Sequence, residues 1–409
     1  MRILIHSIYF PPTQIGAAKY NGEMAAWLAQ RGHEVRVVTA PPFYPAWRVA
    51  PGFSGRRYQS ELWQNLTVWR CPIWVPQQTT GLKRLLHLLS FALSSASVTL
   101  WQVFWKPDVV WLMVPSLSCA PIAWLAARLS GARAWLHVQD FEVDAAFQTG
   151  LLRQTTLRNF ALWFEQKLMR CFDRVSTISP PMVLRLCAKG VAKSRCILFP
   201  NWVDLSAIHP LDGRNSFRDE SGIPDNVCVA LYSGNMGEKQ GLETVLEAAR
   251  LLKFDESIRF VLCGDGSARK RLVQEYGDLP NLIWLPLQPM ARLNDLLNLA
   301  DIHLLPQRAD VADLVMPSKL TGMLASGRPV IATAVEGTQV YEVVSKCGVM
   351  VPPGDVRLLA VAIQSLSRNP TSRRSLGKAS RKYAVENFDS ARILLAFERD
   401  LLSCQREAT

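Results

Sequence analysis

The sequence predicts an α/β protein made of two doubly wound, Rossmann-like domains with parallel sheets. Its 409 residues exceed what one hydrophobic core usually serves, so two domains are expected. Short apolar runs recur along both halves without polar alternation, which is typical of strands buried on both faces. Helical patterns such as NGEMAAWLAQRG (21–32) and LETVLEAARLL (242–252) separate these runs. Alternating strands and helices favour parallel sheets covered by helices.

Each half contributes six predicted strands. In the first half they are 3–8, 35–40, 109–114, 134–138, 174–179 and 196–200; in the second half they are 229–234, 260–264, 282–286, 302–306, 329–334 and 349–352. The stretch 201–226 is rich in Pro, Gly, Asp and Asn and is the most linker-like part of the chain. We therefore divide the chain into domains 1–203 and 204–386 and a C-terminal helix at 387–409. Ligands of such sheets bind beyond the carboxyl ends of the strands, and two such domains would face each other across a cleft.

The composition indicates a folded protein of a reducing compartment. Half of the residues are hydrophobic and 20% are charged, which excludes a disordered chain. Nine cysteines are scattered, an odd number without a C-x-x-C pair, as in proteins that keep their thiols reduced. The chain opens with the strand-like run RILIHSIYF in place of a secretory signal, so a cytoplasmic location is expected.

Positive charge is concentrated in the first half. Residues 1–200 hold 22 Lys and Arg against 9 Asp and Glu, a net charge of +13, whereas residues 201–409 hold 24 against 25. The first half should therefore meet an acidic partner. No basic and aromatic module for nucleic acid stands out, so an anionic membrane surface is the expected partner and nucleic acid is not.

The longest run without charge is LLHLLSFALSSASVTLWQVFW (85–105), preceded by Lys83 and Arg84 and followed by Lys106. Its length would span a bilayer. Four serines, a threonine, a histidine and a glutamine favour instead a helix that covers the sheet. A helix lying in the membrane surface is a third interpretation, and the sequence leaves the three open.

Three loops of the second half enter helices with residues suited to phosphate. LYSGNMGEKQGLETV places Asn235 and Lys239 around a glycine turn, and FVLCGDGSARKRL places Gly264 after a strand. VMPSKLTGMLASG places Ser318 and Lys319 where a helix begins, and the N–H groups there favour an anion. Because the strand ends of one sheet share an edge, Lys239 and Lys319 together indicate a diphosphate site. The second loop stops at G-x-G, which disfavours NAD binding and an oxidoreductase.

Candidate residues of the first half follow its strands. Gly16 lies in a loop that enters a helix, where a ligand could approach the backbone. The segment WLHVQDFEVDAA (135–146) offers His137 and Asp140 for acceptor orientation or proton transfer, although a histidine inside a strand is more often a core residue. Glu142 and Asp144 form an E-x-D pair, which is weak evidence for a metal site, and we expect no required metal.

These segments resemble retaining glycosyltransferases of the GT-B fold, in the family 4 group, over nearly the whole chain. Within it, the chain is similar to fucosyltransferase-like proteins of colanic acid and other exopolysaccharide biosynthesis. The resemblance is carried by GAAKYNGEMAAWLAQRGHEVRVVTAPPFYP, LKRLLHLLSFA, LHVQDFEVDA, FPNWVD, LYSGNMGEKQGLE and VMPSKLTGMLASG.

The resemblance implies that the second domain binds a nucleoside diphosphate sugar, with a GDP-sugar favoured, and that no cofactor is needed. The first domain would bind a polyprenyl-diphosphate-linked saccharide as acceptor at the inner face of the cytoplasmic membrane. Lys239 matches the lysine that contacts the diphosphate, the loop of Gly16 would close on it, and Gln288 in LPLQPM would flank the base. The C-terminal helix would pack back on the first domain.

The sequence also departs from the pattern of this family. Asn235 stands where most relatives have an arginine, and Leu314 and Gly322 stand where they have two glutamates eight residues apart. Asp313 would then take over a hydroxyl contact with the donor sugar. Two alternatives stay open, an epimerase of the GT-B type acting on the nucleotide sugar itself and a catalytically inactive membrane-associated scaffold.

Overall fold

The computed structural model describes residues 1–13, 16–77, 81–144, 155–213, 215–308 and 317–406. The side chains of 155–158, 160, 239 and 406 lie outside this description. The chain divides into two compact units. The first unit is Met1–Pro200 together with Arg392–Thr409, and the second is Asn201–Ala391.

The first unit is built on a mixed sheet. Its described elements are β1 (Arg2–His6), α1 (Ala17–Gln30), β2 (Glu34–Thr39), β3 (Gln59–Trp63), β4 (Leu66–Arg70), α2 (Gly81–Trp101), β5 (Val109–Val114), α3 (Ala120–Ser130), β6 (Arg133–Val138), α4 (Thr155–Cys171), β7 (Arg174–Thr177), α5 (Pro180–Ala188) and β8 (Cys196–Leu198). The strand order is β3-β4-β2-β1-β5-β6-β7-β8, and all neighbours are parallel except β3 and β4. Every residue of β5 is buried, as expected for a strand covered on both faces.

The antiparallel hairpin β3–β4 is the part of this sheet that the sequence did not predict. Two residues, Gln64 and Asn65, connect its strands, and both have positive φ angles of 47° and 64°. Such a turn is usually recognised by an Asn-Gly or Asp-Gly pair. The hairpin extends the sheet beyond β2 and makes β3 the edge strand, and the other strand pairings are parallel.

The second unit has a sheet in which every described strand pair is parallel. Its described elements are α6 (Ser216–Glu220), β9 (Cys228–Ser233), α7 (Leu242–Leu251), β10 (Ile258–Cys263), α8 (Arg269–Tyr276), β11 (Leu282–Leu285), α9 (Leu293–Leu299), β12 (Ile302–Leu305), α10 (Lys319–Ala325), β13 (Val330–Thr333), α11 (Gln339–Val344), β14 (Val349–Val351), α12 (Val356–Arg368) and α13 (Pro370–Asn387). The strand order is β11-β10-β9-β12-β13-β14.

Both sheets have the doubly wound order, and the predicted α/β fold class is confirmed. In each, the first strand of the unit lies in the middle and the chain winds outward to both sides, so that the order reverses between β1 and β5 and between β9 and β12. The crevice beyond the carboxyl ends of two such strands is the usual ligand position in this fold. All twelve predicted strands are present with small shifts at their ends.

The last helix, α14 (Ser390–Arg406), completes the core of the first unit. The Phe397 ring stacks on Phe199 with a centroid distance of 4.2 Å and meets Trp111 edge-on at 4.9 Å. Glu398 accepts hydrogen bonds from Arg31 at 3.1 Å and from His33 at 2.9 Å. The C-terminal residues therefore contribute both apolar and charged contacts to the unit in which the chain begins.

Helix α2 exposes a row of large apolar side chains to the solvent. Its buried side is mixed and comprises His87, Phe91, Ala92, Ser95 and Thr99, and Ser95 Oγ lies 3.0 Å from His6 Nε2. The large apolar side chains that are exposed, which we call the outer stripe of α2 and its following turn, are Leu82, Leu85, Leu86, Leu89, Leu93, Trp101 and Phe104. Among the described residues, Gly81–Trp105 is the helical segment long and apolar enough to cross a membrane, by length and composition.

Candidate active site

Two glycine loops pack against each other at the carboxyl edge of the second sheet. The loop after β9 begins with Gly234 at φ 137°, and the loop after β10 begins with Gly264 at φ 145°. A Cβ on Gly264 would overlap the carbonyl oxygen of Gly234. The Met236 N–H donates to the Asp265 carbonyl at 2.8 Å, and the Ala268 N–H donates to the Met236 carbonyl at 2.9 Å. The backbone of the two loops therefore forms one surface next to β9, which is one of the two strands between which the strand order reverses.

Lys319 reaches this surface from the start of α10. Its Nζ lies 4.2 Å from the centroid of the Tyr232 ring and donates to Gln240 Oε1 at 3.2 Å. The aliphatic part of the side chain passes beside Gly234, where a Cβ would lie 3.4 Å from Cδ. Burial lowers the pKa of Lys319 to about 7, because the ammonium group loses water of hydration. An anionic ligand bound here would restore the charged form.

Lys239 belongs to a short 3-10 turn, Glu238–Gln240, directly before Gly241 and helix α7. Lys319 bonds to the neighbouring Gln240, so the backbone of Lys239 lies on the same side of the sheet as Lys319. The structure thus brings together the two segments that the sequence analysis assigned to one diphosphate. The role of Lys239 stays a prediction, because its side chain is outside the description.

The remaining predicted donor residues lie at loops of the same sheet edge. Asn235 is exposed after Gly234, and its backbone carbonyl accepts a hydrogen bond from the Tyr232 hydroxyl at 2.6 Å. Gln288 follows β11, and its amide donates to the Pro286 carbonyl at 2.9 Å. Ser318 is exposed before α10 and makes no side-chain cap of that helix. Asp313 lies outside the described residues.

In the first unit, Gly16 and His137 occupy different kinds of position. Gly16 precedes α1 with φ 60° and has open space where a Cβ would lie. His137 is buried in β6 and stacks on Trp111 at 5.1 Å. Its Nδ1 lies 2.8 Å from Ser176 Oγ, its Nε2 accepts from the Gln139 amide at 2.9 Å, and burial lowers its pKa to about 3. This geometry favours the alternative of a core histidine over a catalytic one.

The carboxylates after β6 differ sharply in their surroundings. Asp140 is exposed at the strand end. Asp144 is ion-paired with Arg185 at 2.9 Å and with Lys189 at 3.0 Å, so it does not form a metal site with Glu142. Among the described residues, no group of three or more His, Cys, Asp or Glu could hold a metal ion. Glu142 is instead bound through Oε2 by the Leu117 N–H at 2.9 Å.

Sequence reasoning did not identify Tyr232, Gln240 or Arg308 as parts of the candidate donor site. The Tyr232 ring lies under the Lys319 ammonium group, and Gln240 accepts its hydrogen bond. Arg308 follows β12, and its Cγ would lie 3.1 Å from a Cβ on Gly241. These contacts join residues that are about 70 to 90 positions apart, so only the strand order reveals them.

Comparison with known proteins identifies both halves of the chain. Residues 16–202 match the family model described as glycosyl transferase 4-like domain, and residues 213–383 match the model described as glycosyl transferases group 1. A protein of Escherichia coli (strain K12), WcaI, whose name assigns it to colanic acid biosynthesis as a glycosyl transferase, is 42% identical. That alignment covers 98% of this chain and 100% of the relative.

Solved structures share the fold at low sequence identity. Sucrose-phosphate synthase from Thermosynechococcus elongatus has a TM-score of 0.77 at 18% identity, covering 98% of this chain and 99% of that one. Anabaena HepE in complex with UDP-glucose has a TM-score of 0.70 at 14% identity, covering 98% and 100%. With the near full-length similarity to WcaI, these matches show that the chain belongs to the GT-B glycosyltransferases of the family 4-like group.

Proposed function

We propose that this glycosyltransferase transfers a fucosyl or mannosyl group from a GDP-sugar to a polyprenyl-diphosphate-linked saccharide. The anomeric configuration is retained, and the product enters the synthesis of colanic acid or a related exopolysaccharide. The observation that carries the proposal is the position of the Lys319 ammonium group beside the Gly234 loop at the switch point of the second sheet. The similarity to WcaI supports the choice of product class.

The donor site provides the electrostatics that the reaction needs. As the glycosidic bond to the diphosphate breaks, negative charge grows on the leaving group, and donors aimed at that charge lower the barrier. Lys319 supplies such a donor, and Lys239 adds a second. We assign Asn235, Gln288, Ser318, Gly264 and Asp313 to contacts with the rest of the nucleotide sugar, Gly16 to a loop that closes on it, and Asp140 to the acceptor.

A screen of nucleotides tests the donor assignment. We would measure the thermal unfolding of the full-length protein with GDP, UDP, GDP-fucose, GDP-mannose, UDP-glucose and NAD. A ligand that binds only the native state raises its stability according to affinity and concentration, so the GDP compounds should raise the Tm most and NAD should have no effect. A larger shift with UDP compounds would contradict the GDP preference. Absence of any shift would contradict the transferase assignment.

We further propose that the first unit binds an anionic membrane surface through the outer stripe of α2. The stripe exposes seven large apolar side chains on one helix and the turn after it, an arrangement suited to lying at the boundary of headgroups and acyl chains. Lys83 and Arg84 lie near the start of the stripe and Lys106 follows its end, and the excess of 13 positive charges in residues 1–200 matches an anionic surface. A lipid-linked acceptor would be presented to the enzyme at such a surface.

A further inference from the structure

A basic cavity lies at the amino edge of the second sheet, which is the edge opposite the candidate donor site. It has a volume of about 630 Å³, and its lining belongs entirely to the second unit. Asp301 and Pro329, which line it, directly precede β12 and β13, whereas the loops of Gly234 and Gly264 follow β9 and β10. Because these strands are parallel, the length of the strands separates the cavity from the donor site.

Cationic side chains dominate the lining of this cavity. Helix α13 contributes two basic pairs, Arg373-Arg374 and Arg381-Lys382, and Arg328 joins them from the turn before β13. The pairs are eight residues apart, which is about 12 Å along the helix axis. Residues 201–409 hold 24 Lys and Arg against 25 Asp and Glu, so the cluster is a local concentration and not part of a general excess.

Close packing fixes the backbone that carries these side chains. A Cβ on Gly377, which lies between the two basic pairs, would be 2.3 Å from the carbonyl oxygen of Gly327. A Cβ on Gly327 would in turn be 2.8 Å from Cγ of Pro210. Helix α13 therefore meets the turn before Arg328 with no room for a larger side chain, and the two sources of positive charge stay together.

Main-chain carbonyl groups hold two of the arginines in place. Arg373 Nη1 donates to the Leu366 carbonyl at 2.6 Å, near the end of α12. Arg381 Nη1 donates to the carbonyls of Ile208 and Ala325, each at 2.8 Å. These bonds stabilise the fold and orient the guanidinium groups. They do not neutralise the charge, because a carbonyl oxygen carries no full negative charge.

Carboxylates do not neutralise this charge either. Within the part of the chain that the structure describes, the four arginines of the cavity form no ion pair, and Arg374 makes no hydrogen bond. Asp301, the acidic residue of the lining, is bound by Arg218 at 2.7 Å. Burial lowers the pKa of Arg328 and of Arg381, since their surroundings stabilise the charged form less well than water does. An anion in the cavity would restore that stabilisation.

The lining also selects among anionic ligands. Its described residues include no aromatic ring on which a nucleobase could stack, and none of the large apolar side chains that the structure exposes, on which an acyl chain could lie. Guanidinium groups suit phosphate, because their planar donors bind two oxygens at once. The distance between the basic pairs exceeds the size of one phosphate, so several linked phosphoryl groups are needed to reach both.

We infer that this cavity binds a soluble oligophosphate, whose phosphoryl groups lie between the two basic pairs of α13 and the guanidinium group of Arg328. The inference goes beyond the proposed function and does not depend on it, since no residue assigned to the donor takes part. It gives the second unit a second anion site, at the edge of the sheet that the nucleotide sugar does not use.

The test compares two double charge reversals that change the net charge equally. Arg374→Glu with Lys382→Glu alters the cavity, and Lys253→Glu with Arg357→Glu alters exposed residues of the same unit outside it. Inorganic tripolyphosphate is titrated calorimetrically into each full-length protein at physiological ionic strength, without divalent cations. The titrations are made with and without saturating GDP, which occupies the proposed donor site. Circular dichroism checks the fold of each variant.

We expect one tripolyphosphate to bind the wild type when GDP is present. Its Kd should rise at least about tenfold in the cavity variant, which loses two charged contacts, and less than about twofold in the control. Arg374→Lys with Lys382→Arg keeps the charges and should bind within about threefold of the wild type. If the cavity reversal perturbs the fold, Arg374→Ala replaces it, with an expected rise of at least about threefold.

Equal losses of affinity in the two charge reversals would overturn the inference, because general attraction would then explain the binding. Wild-type protein that binds no tripolyphosphate in the presence of GDP would overturn it as well, and so would orthophosphate that binds as tightly as tripolyphosphate. Affinity for GDP should be the same in both reversals. Wild-type protein that binds no GDP would contradict the proposed function, and the comparison of tripolyphosphate affinities would still decide on the cavity.

Discussion

Lys319 shows how burial can tune the charge of one residue. Its ammonium group sits on the Tyr232 ring and bonds to a neutral amide, so burial opposes its charge and, among the described residues, no carboxylate pairs with it. The contact with the ring recovers part of the lost hydration, because the face of an aromatic ring attracts a cation. The site is therefore prepared for an anion before any anion arrives.

Replacing Lys319 by alanine should impair turnover and leave the fold intact. Loss of one donor aimed at the developing charge typically lowers the rate about 10²- to 10³-fold, and we expect a loss of that size in kcat for transfer. Lys378→Ala, on the exposed side of α13 in the same unit, is the matched control and should keep wild-type turnover. Wild-type rates in Lys319→Ala, with circular dichroism unchanged, would contradict the assignment.

The lowered pKa of Lys319 predicts that diphosphate binding depends on pH. The ammonium form is populated below about 7, and an anion binds that form, so the affinity for GDP should fall as the pH rises from 7 to 9. The expected decrease approaches roughly tenfold per pH unit above the pKa, because the ammonium fraction falls at that rate. Calorimetry in buffers of different ionisation enthalpy should also detect proton uptake on binding.

Lys319→Arg is the control for this pH dependence, since a guanidinium group stays protonated throughout the range. A variant that binds GDP with little change between pH 7 and 9 would support the assignment to Lys319. The same tenfold decrease in wild type and Lys319→Arg would place the titrating group elsewhere.

For single residues, the sequence predicted the place of a site residue on the sheet better than its burial and its hydrogen-bond partners. The spacing of strands and helices was sufficient to place Lys319 and the Gly234 loop on one edge, since the carboxyl ends of parallel strands share it. The burial of Glu142 and the partners of His137 depend on side chains from β5, β7 and the following loops. Nothing in the local pattern around 135–146 distinguishes the ion-paired Asp144 from Glu142, which accepts a main-chain hydrogen bond.

Among the elements, the glycine loops after β9 and β10 should be sensitive to added side chains. Gly264→Ala adds a Cβ where the Gly234 carbonyl oxygen lies, in a backbone conformation that other residues rarely adopt. We expect a loss of at least about 2 kcal/mol in the free energy of unfolding, since strain and overlap act together.

The substitution Gly337→Ala separates the effect of backbone strain from the effect of atomic overlap. Gly337 also has a positive φ, 83°, but nothing lies within 4 Å of its Cβ position. Its substitution should cost only about 1 kcal/mol, from the backbone conformation alone. Chemical denaturation of both variants gives the comparison, and equal losses would contradict the close packing of the two loops.

The outer stripe of α2 should be required for membrane binding and dispensable for donor binding. The double substitution Leu86→Glu and Leu93→Glu places charge on an exposed apolar surface, so it should abolish co-sedimentation with anionic vesicles. Affinity for GDP should be unchanged. Phe254→Glu, at an even more exposed ring in the second unit, controls for a general loss of apolar surface. Vesicle binding by the double variant equal to that of Phe254→Glu would contradict the role of α2.

Element prediction succeeded wherever strands were continuous apolar runs and failed at the hairpin β3–β4. The two strands of this hairpin alternate between more and less buried residues, and their turn, Gln64-Asn65, lacks the glycine that usually marks a two-residue connection. The long helix α2 was anticipated as a helix, but composition did not decide which of its sides would be covered. Its buried side proved to combine Phe91 and Ala92 with His87, Ser95 and Thr99, and a row of leucines is exposed.

For the whole molecule, the uneven distribution of charge predicts that binding to anionic membranes weakens as the salt concentration rises. Residues 1–200 carry the entire positive excess, and attraction to anionic lipid is screened as the Debye length falls to about 3 Å at 1 M salt. Vesicles containing phosphatidylglycerol should bind the protein at low salt and release most of it at high salt, whereas pure phosphatidylcholine vesicles should bind little. Equal binding to both lipids would contradict the electrostatic contribution.

The carbonyl oxygen of Gly234 fills the space that a side chain at Gly264 would need, so the two loops are packed tightly where we propose that the diphosphate binds. Neither loop can shift alone without losing the hydrogen bonds that tie Met236 to Asp265 and Ala268 to Met236. If the proposed donor site is correct, the nucleotide would meet a rigid cradle, and little of its binding energy would be spent on reorganising the protein. Selectivity among sugars would then come from side chains around that cradle, which can be exchanged without rebuilding it.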